Sequence, residues 1–283
     1  MSMRPVSIKL FLCDGDPDGI RTAELSNWTG KALAGPRSDL SNLLLRDELR
    51  KPGVYFLSSK DTVSGLLNLY IGEAESVGKR IRQHQSEDNW DWIQLISFVS
   101  KDENLTKAHI RYLEGALISK AKASSRICDL NNQGGGARLP ESDQAEMDVF
   151  LENMLKLLPV LGITELEPES EKPADMNQML FGVTKGCNAQ GNRTAGGFVV
   201  YEGSQAVKEH RASAGKTKKR RESLIEQGVL VEDGDAYCFS RNYEFGSPSE
   251  AGAMVCGGAT NGLTFWRNKD QISLKEIEAK LVE

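Results

Sequence analysis

Two tyrosines, an arginine, a histidine, a glutamate and an asparagine stand along this 283-residue chain in an order that suits chemistry on a phosphate. Tyr55 closes the tripeptide Gly53-Val54-Tyr55, and Tyr70 opens Tyr70-Ile71-Gly72. Arg80 follows ten residues after Tyr70, His84 four residues later, and Glu114 and Asn132 further on. Residues four apart share one face of a helix, so Arg80 and His84 can both address one phosphate or the water that attacks it. Arginine suits that task because its planar, permanently charged fork holds two phosphate oxygens at once. Phosphoryl transfer asks a protein chiefly to align a nucleophile and neutralise charge. Taken singly, each residue has a plainer use, since tyrosine is a common strand residue and helix surfaces are rich in glutamate. The ordered set of six carries the signal.

Those side chains need elements to hold them. Ser7 to Cys13 has the alternation of a strand, and Leu40 to Arg50 reads as an amphipathic helix after a turn at Gly35-Pro36. Residues 1–50 are therefore expected to be a lead-in of one strand and one helix. Gly53 to Leu57 and Leu67 to Ile71 predict two neighbouring strands. Ser76 can cap a helix carrying Val77 and Ile81, and Trp92 to Val99 predicts a further strand. Apolar residues from Leu105 to Lys122 recur at helical spacing, as they do from Ser142 to Leu161 after the glycine-rich turn at Gly134 to Gly136. Glu165 to Gln178 is acidic, holds two prolines and lacks periodicity, which marks residues 163–178 as a linker. Beyond it, residues 179–283 alternate strand-like runs with a basic helix near Lys218 to Gln227, which predicts a second, smaller α+β domain.

The ordered set resembles the GIY-YIG nuclease family, with Val54 in place of the first motif's isoleucine and the second motif intact. The resemblance covers roughly Lys51 to Asn132. It implies an α+β nuclease domain over residues 51–162, a small central antiparallel sheet flanked by helices. It also implies a metal-dependent endonuclease that hydrolyses phosphodiester bonds of nucleic acid, DNA being expected ahead of RNA as its substrate, with Tyr55, Tyr70, Arg80, His84, Glu114 and Asn132 as catalytic positions. Glu114, the one carboxylate of the set, would hold Mg²⁺, with Mn²⁺ as a substitute, while waters and substrate oxygens fill the other positions. Tyr55 would take or relay the proton of the attacking water, and Tyr70 would position water or phosphate. A free phenol titrates near ~10, so Tyr55 acts as a base only where Arg80, the metal or a neighbour favours its ionised form. His84 would orient Tyr55 or assist the transfer. Asn132, preferred to the adjacent Asn131 by its distance from Leu130, would support the site. Lys79 and Lys107 are expected to contact substrate.

Residues 179–283 resemble a small domain of uncharacterised function that often accompanies GIY-YIG domains. The resemblance rests on Ala195 to Tyr201, the basic helix followed by Gly228 to Val231, and Pro248-Ser249 through Asn261-Gly262 to Trp266. It implies a module for recognising substrate or partner. The alternative to an enzyme is a catalytically weak, nucleic-acid-binding regulatory protein.

A net charge of -5 argues against indiscriminate coating of nucleic acid, which relies on a positive excess. Positive charge nonetheless clusters at Lys79, Arg80 and Arg82 and again from Lys216 to Arg221, where it serves either a solvated helix face or a nucleic-acid contact. Five scattered cysteines without a C-x-x-C pair indicate neither a disulfide framework nor a zinc site, so reduced thiols in a cytoplasmic protein are expected. With no signal-peptide start and no run of ~18 apolar residues, no membrane partner is expected. Asp14-Gly15-Asp16-Pro17-Asp18-Gly19 opens like a calcium-binding loop, but Leu25 occupies the twelfth position where a glutamate is needed, so a turn is expected.

Overall fold

The computed structural model describes residues 5–61, 66–87, 91–124, 126–131, 135–166, 179–210 and 215–280. They form an α+β protein of two compact units, the first within Met1–Asp61 and Gly65–Glu167, the second within Pro168–Glu283. The chain passes between them inside the segment read as a linker, whose residues 167–178 lie outside the described residues.

The first unit runs β1 (Ile8–Leu12), β2 (Arg21–Leu25), β3 (Gly30–Pro36), α1 (Leu40–Leu43), β4 (Gly53–Lys60), β5 (Leu67–Ala74), α2 (Val77–Glu87), β6 (Gln94–Ser100), α3 (Lys107–Ala123), β7 (Ile127–Asp129) and α4 (Glu141–Leu157). Its strands form a seven-stranded sheet in the order β1-β2-β3-β6-β4-β5-β7, antiparallel except where β7 joins β5 in parallel. Successive strand residues point to opposite faces. Val54, Phe56, Leu69 and Ile71 therefore pack with α3 and α4, while Tyr55, Leu57 and Leu95 pack with Leu40, Leu43, Val77 and Ile81 from α1 and α2. The sheet lies between two helical layers, and the two tyrosines face the α2 side. The start of α3 is closed by a reciprocal cap: Thr106 Oγ accepts the His109 N–H at 3.3 Å, and His109 Nδ1 accepts the Thr106 N–H at 3.3 Å. Such a cap is worth about 1 kcal/mol and gives His109 a structural role.

Three features differ from the sequence-based expectation. Residues 1–50 are not a lead-in of one strand and one helix; they supply β1, β2 and β3, and β3 pairs along its whole length with β6. The run Gly30–Pro36 is rich in glycine and alanine, so local propensity hides a strand that its pairing creates. The helix expected over Leu40 to Arg50 stops at Leu43, and Arg46 takes an extended conformation (ψ 134°) before a short 3-10 turn at Asp47–Arg50. That break turns Glu48 inward to Lys31 at 2.8 Å and Arg46 at 3.1 Å. Finally, the sheet is neither small nor wholly antiparallel. The acidic turn behaves as expected, with Asp14 carboxylate oxygens accepting the N–H groups of Asp16 and Ile20.

The second unit runs β8 (Leu180–Thr184), β9 (Cys187–Thr194), β10 (Gly197–Val200), β11 (Gln205–Val207), α5 (Gly215–Glu226), β12 (Leu230–Asp233), β13 (Ala236–Phe239), β14 (Tyr243–Phe245), α6 (Pro248–Cys256), α7 (Gly262–Phe265) and α8 (Leu274–Lys280). Its strands make two sheets, β14-β10-β9-β8 and β11-β13-β12, around a core that includes Phe198, Phe239, Tyr243, Phe245 and Trp266. The Trp266 indole N–H donates to the Pro248 carbonyl at 2.9 Å, and the Gly262 N–H donates to Ser249 Oγ at 3.0 Å. The separated stretches Pro248-Ser249 and Asn261 to Trp266 are thereby one interlocked corner. The basic run divides: Arg221 is fully buried, donating to the Val207 and Glu209 carbonyls beneath the Tyr237 ring, while Lys218 and Lys219 are exposed. No helix among the described residues is long and apolar enough to cross a membrane.

Candidate active site

Tyr55 lies on β4 and Tyr70 on β5, while Arg80 and His84 share one face of α2; all four meet on one side of the sheet. The Tyr55 ring is fully buried, and its Oη stands 2.6 Å from His84 Nε2, itself in a buried side chain. The Tyr70 ring packs edge-on against His84 with centroids 5.0 Å apart and lies 6.1 Å from the Tyr55 ring. The Arg80 guanidinium lies close enough to both phenols for each to hold its charge in place, and it donates to Gln83 Oε1 at 3.1 Å. Four groups from three elements thus meet in one cluster, joined by the Tyr55–His84 hydrogen bond and by ring contacts of Tyr70.

The electrostatics assign Tyr55 a definite state. Burial, reinforced by the neighbouring Tyr70, pushes its phenol well above the ordinary tyrosine value despite the opposing pull of Arg80. The ionised base contemplated for Tyr55 is therefore disfavoured, and Tyr55 is a neutral hydroxyl at neutral pH. A neutral phenol against an imidazole nitrogen can still pass a proton through: it accepts one on oxygen while giving its own to Nε2. For Arg80, burial works to lower the pKa, but the two tyrosine oxygens outweigh it and the guanidinium stays charged.

The cluster opens into a cleft of about 1060 Å³ around the C-terminal end of β5. Arg50, Lys79, Arg80 and Lys107 line it together with Glu73, Glu75 and Glu114, so four cations face three acids although the chain as a whole is acidic. Glu114 comes from α3. Its carboxyl is pushed above the usual carboxylate range, chiefly by burial and then by the negative charge of Glu73, while a backbone N–H of Glu73, Lys107 and Arg111 pull the other way. Gly135 passes so close that a β-carbon there would collide with Glu114 Oε2. A half-buried carboxylate beside a second acid fits a bound cation, which would relieve both the desolvation and the repulsion. Among the described residues no group of three or more His, Cys, Asp or Glu side chains gathers into a metal cluster, so an ion here would draw most of its shell from water and substrate oxygens.

Asn132 lies outside the described residues, whereas its neighbour Asn131 holds the second motif directly. Asn131 Nδ2 donates to the Ile71 carbonyl at 2.6 Å, and its Oδ1 accepts the Ile71 N–H at 3.1 Å. These bonds continue the sheet-like pairing of β5 beyond β7 and hold the chain between Tyr70 and Gly72 in place. Lys79 stands exposed on the cleft rim, and Lys107 pairs with Glu73 at 2.7 Å. Glu73 and Gly135 are the members that spacing alone did not bring out, while between Asn131 and its alternative Asn132 spacing could not choose. Glu73 had a local signal, since it directly follows Tyr70-Ile71-Gly72, but only the strand's pleat turns it toward α3.

Comparison with known proteins bears on the second unit. No curated protein and no solved structure matches the chain significantly. Residues 180–278 match the model of a family described as a domain of unknown function (DUF4357), which spans β8 into α8 and includes the interlocked Pro248 to Trp266 corner. The C-terminal unit is similar to that domain, and the first unit rests on its own geometry.

Proposed function

We propose that this chain is a GIY-YIG-type endonuclease that hydrolyses phosphodiester bonds of nucleic acid, with DNA expected ahead of RNA as its substrate and Mg²⁺ or Mn²⁺ as its metal, and that the C-terminal unit recognises substrate or partner. The observation that carries the reading is Arg80 beside Tyr55 and Tyr70, all three lining the cleft that holds Glu114, with buried His84 behind them and its Nε2 2.6 Å from the Tyr55 oxygen. Arg80 binds non-bridging oxygens of the scissile phosphate and keeps its full charge there. Tyr70 orients the phosphate or the water. The attacking water gives its proton to Tyr55 as Tyr55 gives its own to His84 Nε2, so no phenolate has to form beforehand. The water oxygen bonds to phosphorus, the phosphorus–oxygen bond of the leaving strand breaks, and the leaving oxygen takes a proton from solvent. Glu114 is the residue that would hold the metal, which when bound supplies positive charge for the leaving oxygen. Lys79 and Lys107 meet neighbouring phosphates.

A panel of labelled single-stranded, double-stranded and branched DNA and RNA with Mg²⁺ or Mn²⁺ tests the reading. Cleavage that EDTA abolishes, and that Glu114→Ala and Arg80→Ala each reduce at least ~100-fold, is the expected result. Binding of a panel member without any cleavage would instead favour a regulatory nucleic-acid-binding protein.

A further inference from the structure

The cleft holds an acid that stands outside the six-residue set. Glu73 and Glu114 both line it, and the pleat of β5 turns Glu73 to the α3 side of the sheet, where Glu114 projects. Glu73 stands near enough for its charge to act on the Glu114 carboxyl, so the two acids share one wall of the cleft. Lys107 answers their charge, its Nζ lying 2.7 Å from Glu73 Oε2.

The placement of that lysine is unusual on physical grounds. Lys107 is the first residue of α3, where the positive end of the helix dipole disfavours a cation. What holds it there is the acid wall. The partners also differ in freedom: the Glu73 side chain is 14% exposed, Lys107 48%. A short acid fixed on a strand faces a long, solvent-reaching amine that can swing away.

We propose that Glu73 joins Glu114 as the second carboxylate of the cleft's cation site, and that Lys107 is a built-in cation which an arriving divalent ion displaces from Glu73. A divalent ion held by two carboxylates, with water and phosphate oxygens completing its shell, is an ordinary arrangement for Mg²⁺. The displaced ammonium, with three donors and no acceptor, is then free to meet a phosphate oxygen of the substrate. The proposal rests on the nuclease reading for its expectation of a metal in this cleft. A permanent Lys107–Glu73 strut would be a different device, and the two differ in sign.

The test is Mn²⁺ binding to the full chain without nucleic acid, followed by the paramagnetic resonance of free Mn²⁺, with circular dichroism confirming that each variant is folded. Glu73→Gln should weaken binding at least ~10-fold, comparable to the loss of a supporting group around a metal. Lys107→Met should tighten it by roughly fivefold through removal of one competing charge. Unchanged affinity in Glu73→Gln, weaker binding in Lys107→Met, or no Mn²⁺ binding by the native protein would overturn the proposal. Native protein that binds Mn²⁺ with this pattern of signs yet cuts no nucleic acid upholds the site and removes the nuclease reading. Cleavage that Glu73→Gln leaves untouched, with its Mn²⁺ affinity intact, does the reverse.

Discussion

Tyr55 and Gly72 face each other across the β4–β5 ladder, and a β-carbon on residue 72 would run into the phenol of Tyr55. The glycine of the second motif thereby makes room for the tyrosine of the first. Gly72→Ala must push the ring out of its place against His84. The overpacking should cost about 1–3 kcal/mol in stability and lower cleavage by at least ~100-fold through a misplaced proton relay. Urea denaturation and cleavage kinetics on the same variant check both; full activity would show that the Tyr55–His84 contact is dispensable.

Asn131 pairs with both backbone groups of Ile71. Replacing it by alanine leaves a part-buried donor and acceptor unmet, which costs about 1–3 kcal/mol. Asn131→Ala should therefore lower thermal stability and activity together, and by more than Asn132→Ala does. Differential scanning of the two variants side by side settles which asparagine supports the site.

Burial keeps the Tyr55 phenol protonated well beyond the ordinary tyrosine value. Ultraviolet titration of the native protein should show no phenolate from Tyr55 up to pH ~11, where an exposed tyrosine has already ionised. Subtracting the Tyr55→Phe titration isolates that one ring. A Tyr55 phenolate appearing near pH 10 or below would return it to the role of pre-ionised base.

Glu48, outside the proposed catalytic set, is a source of acid sensitivity. Burial pushes its carboxyl up, but hydrogen bonds from Lys31 and Arg46 outweigh that and bring it down to about 2 from 4.5. A carboxyl depressed in the folded state stabilises above its unfolded pKa and loses that contribution as pH falls through the folded one. About 3 kcal/mol should thus be lost between pH 4.5 and 2. Glu48→Gln should be less stable than the native protein at pH 7 and nearly match it at pH 2, as read by denaturant melts at both.

Local spacing was enough to locate β4, β5, α2, β6 and α3 in order and to set Arg80 and His84 on one helical face, because strand alternation and helical periodicity are written in neighbouring residues. The similarity of residues 180–278 to a domain of unknown function was legible in the same way, from short stretches that the fold joins into one corner. What spacing could not decide depends on groups distant in the chain. Gly30–Pro36 is a strand because β6 pairs with it, and Arg221 is a buried clamp because β11 and the chain after it turn their carbonyls toward it. Asn131, sixty residues from Ile71, meets the second motif through the parallel β5–β7 pairing. The protonation of Tyr55 follows from its burial, and the partnership of Glu73 with Lys107 from the packing of α3 on β5. Desolvation and long-range pairing arise only once the chain has closed on itself, so tertiary structure decided them.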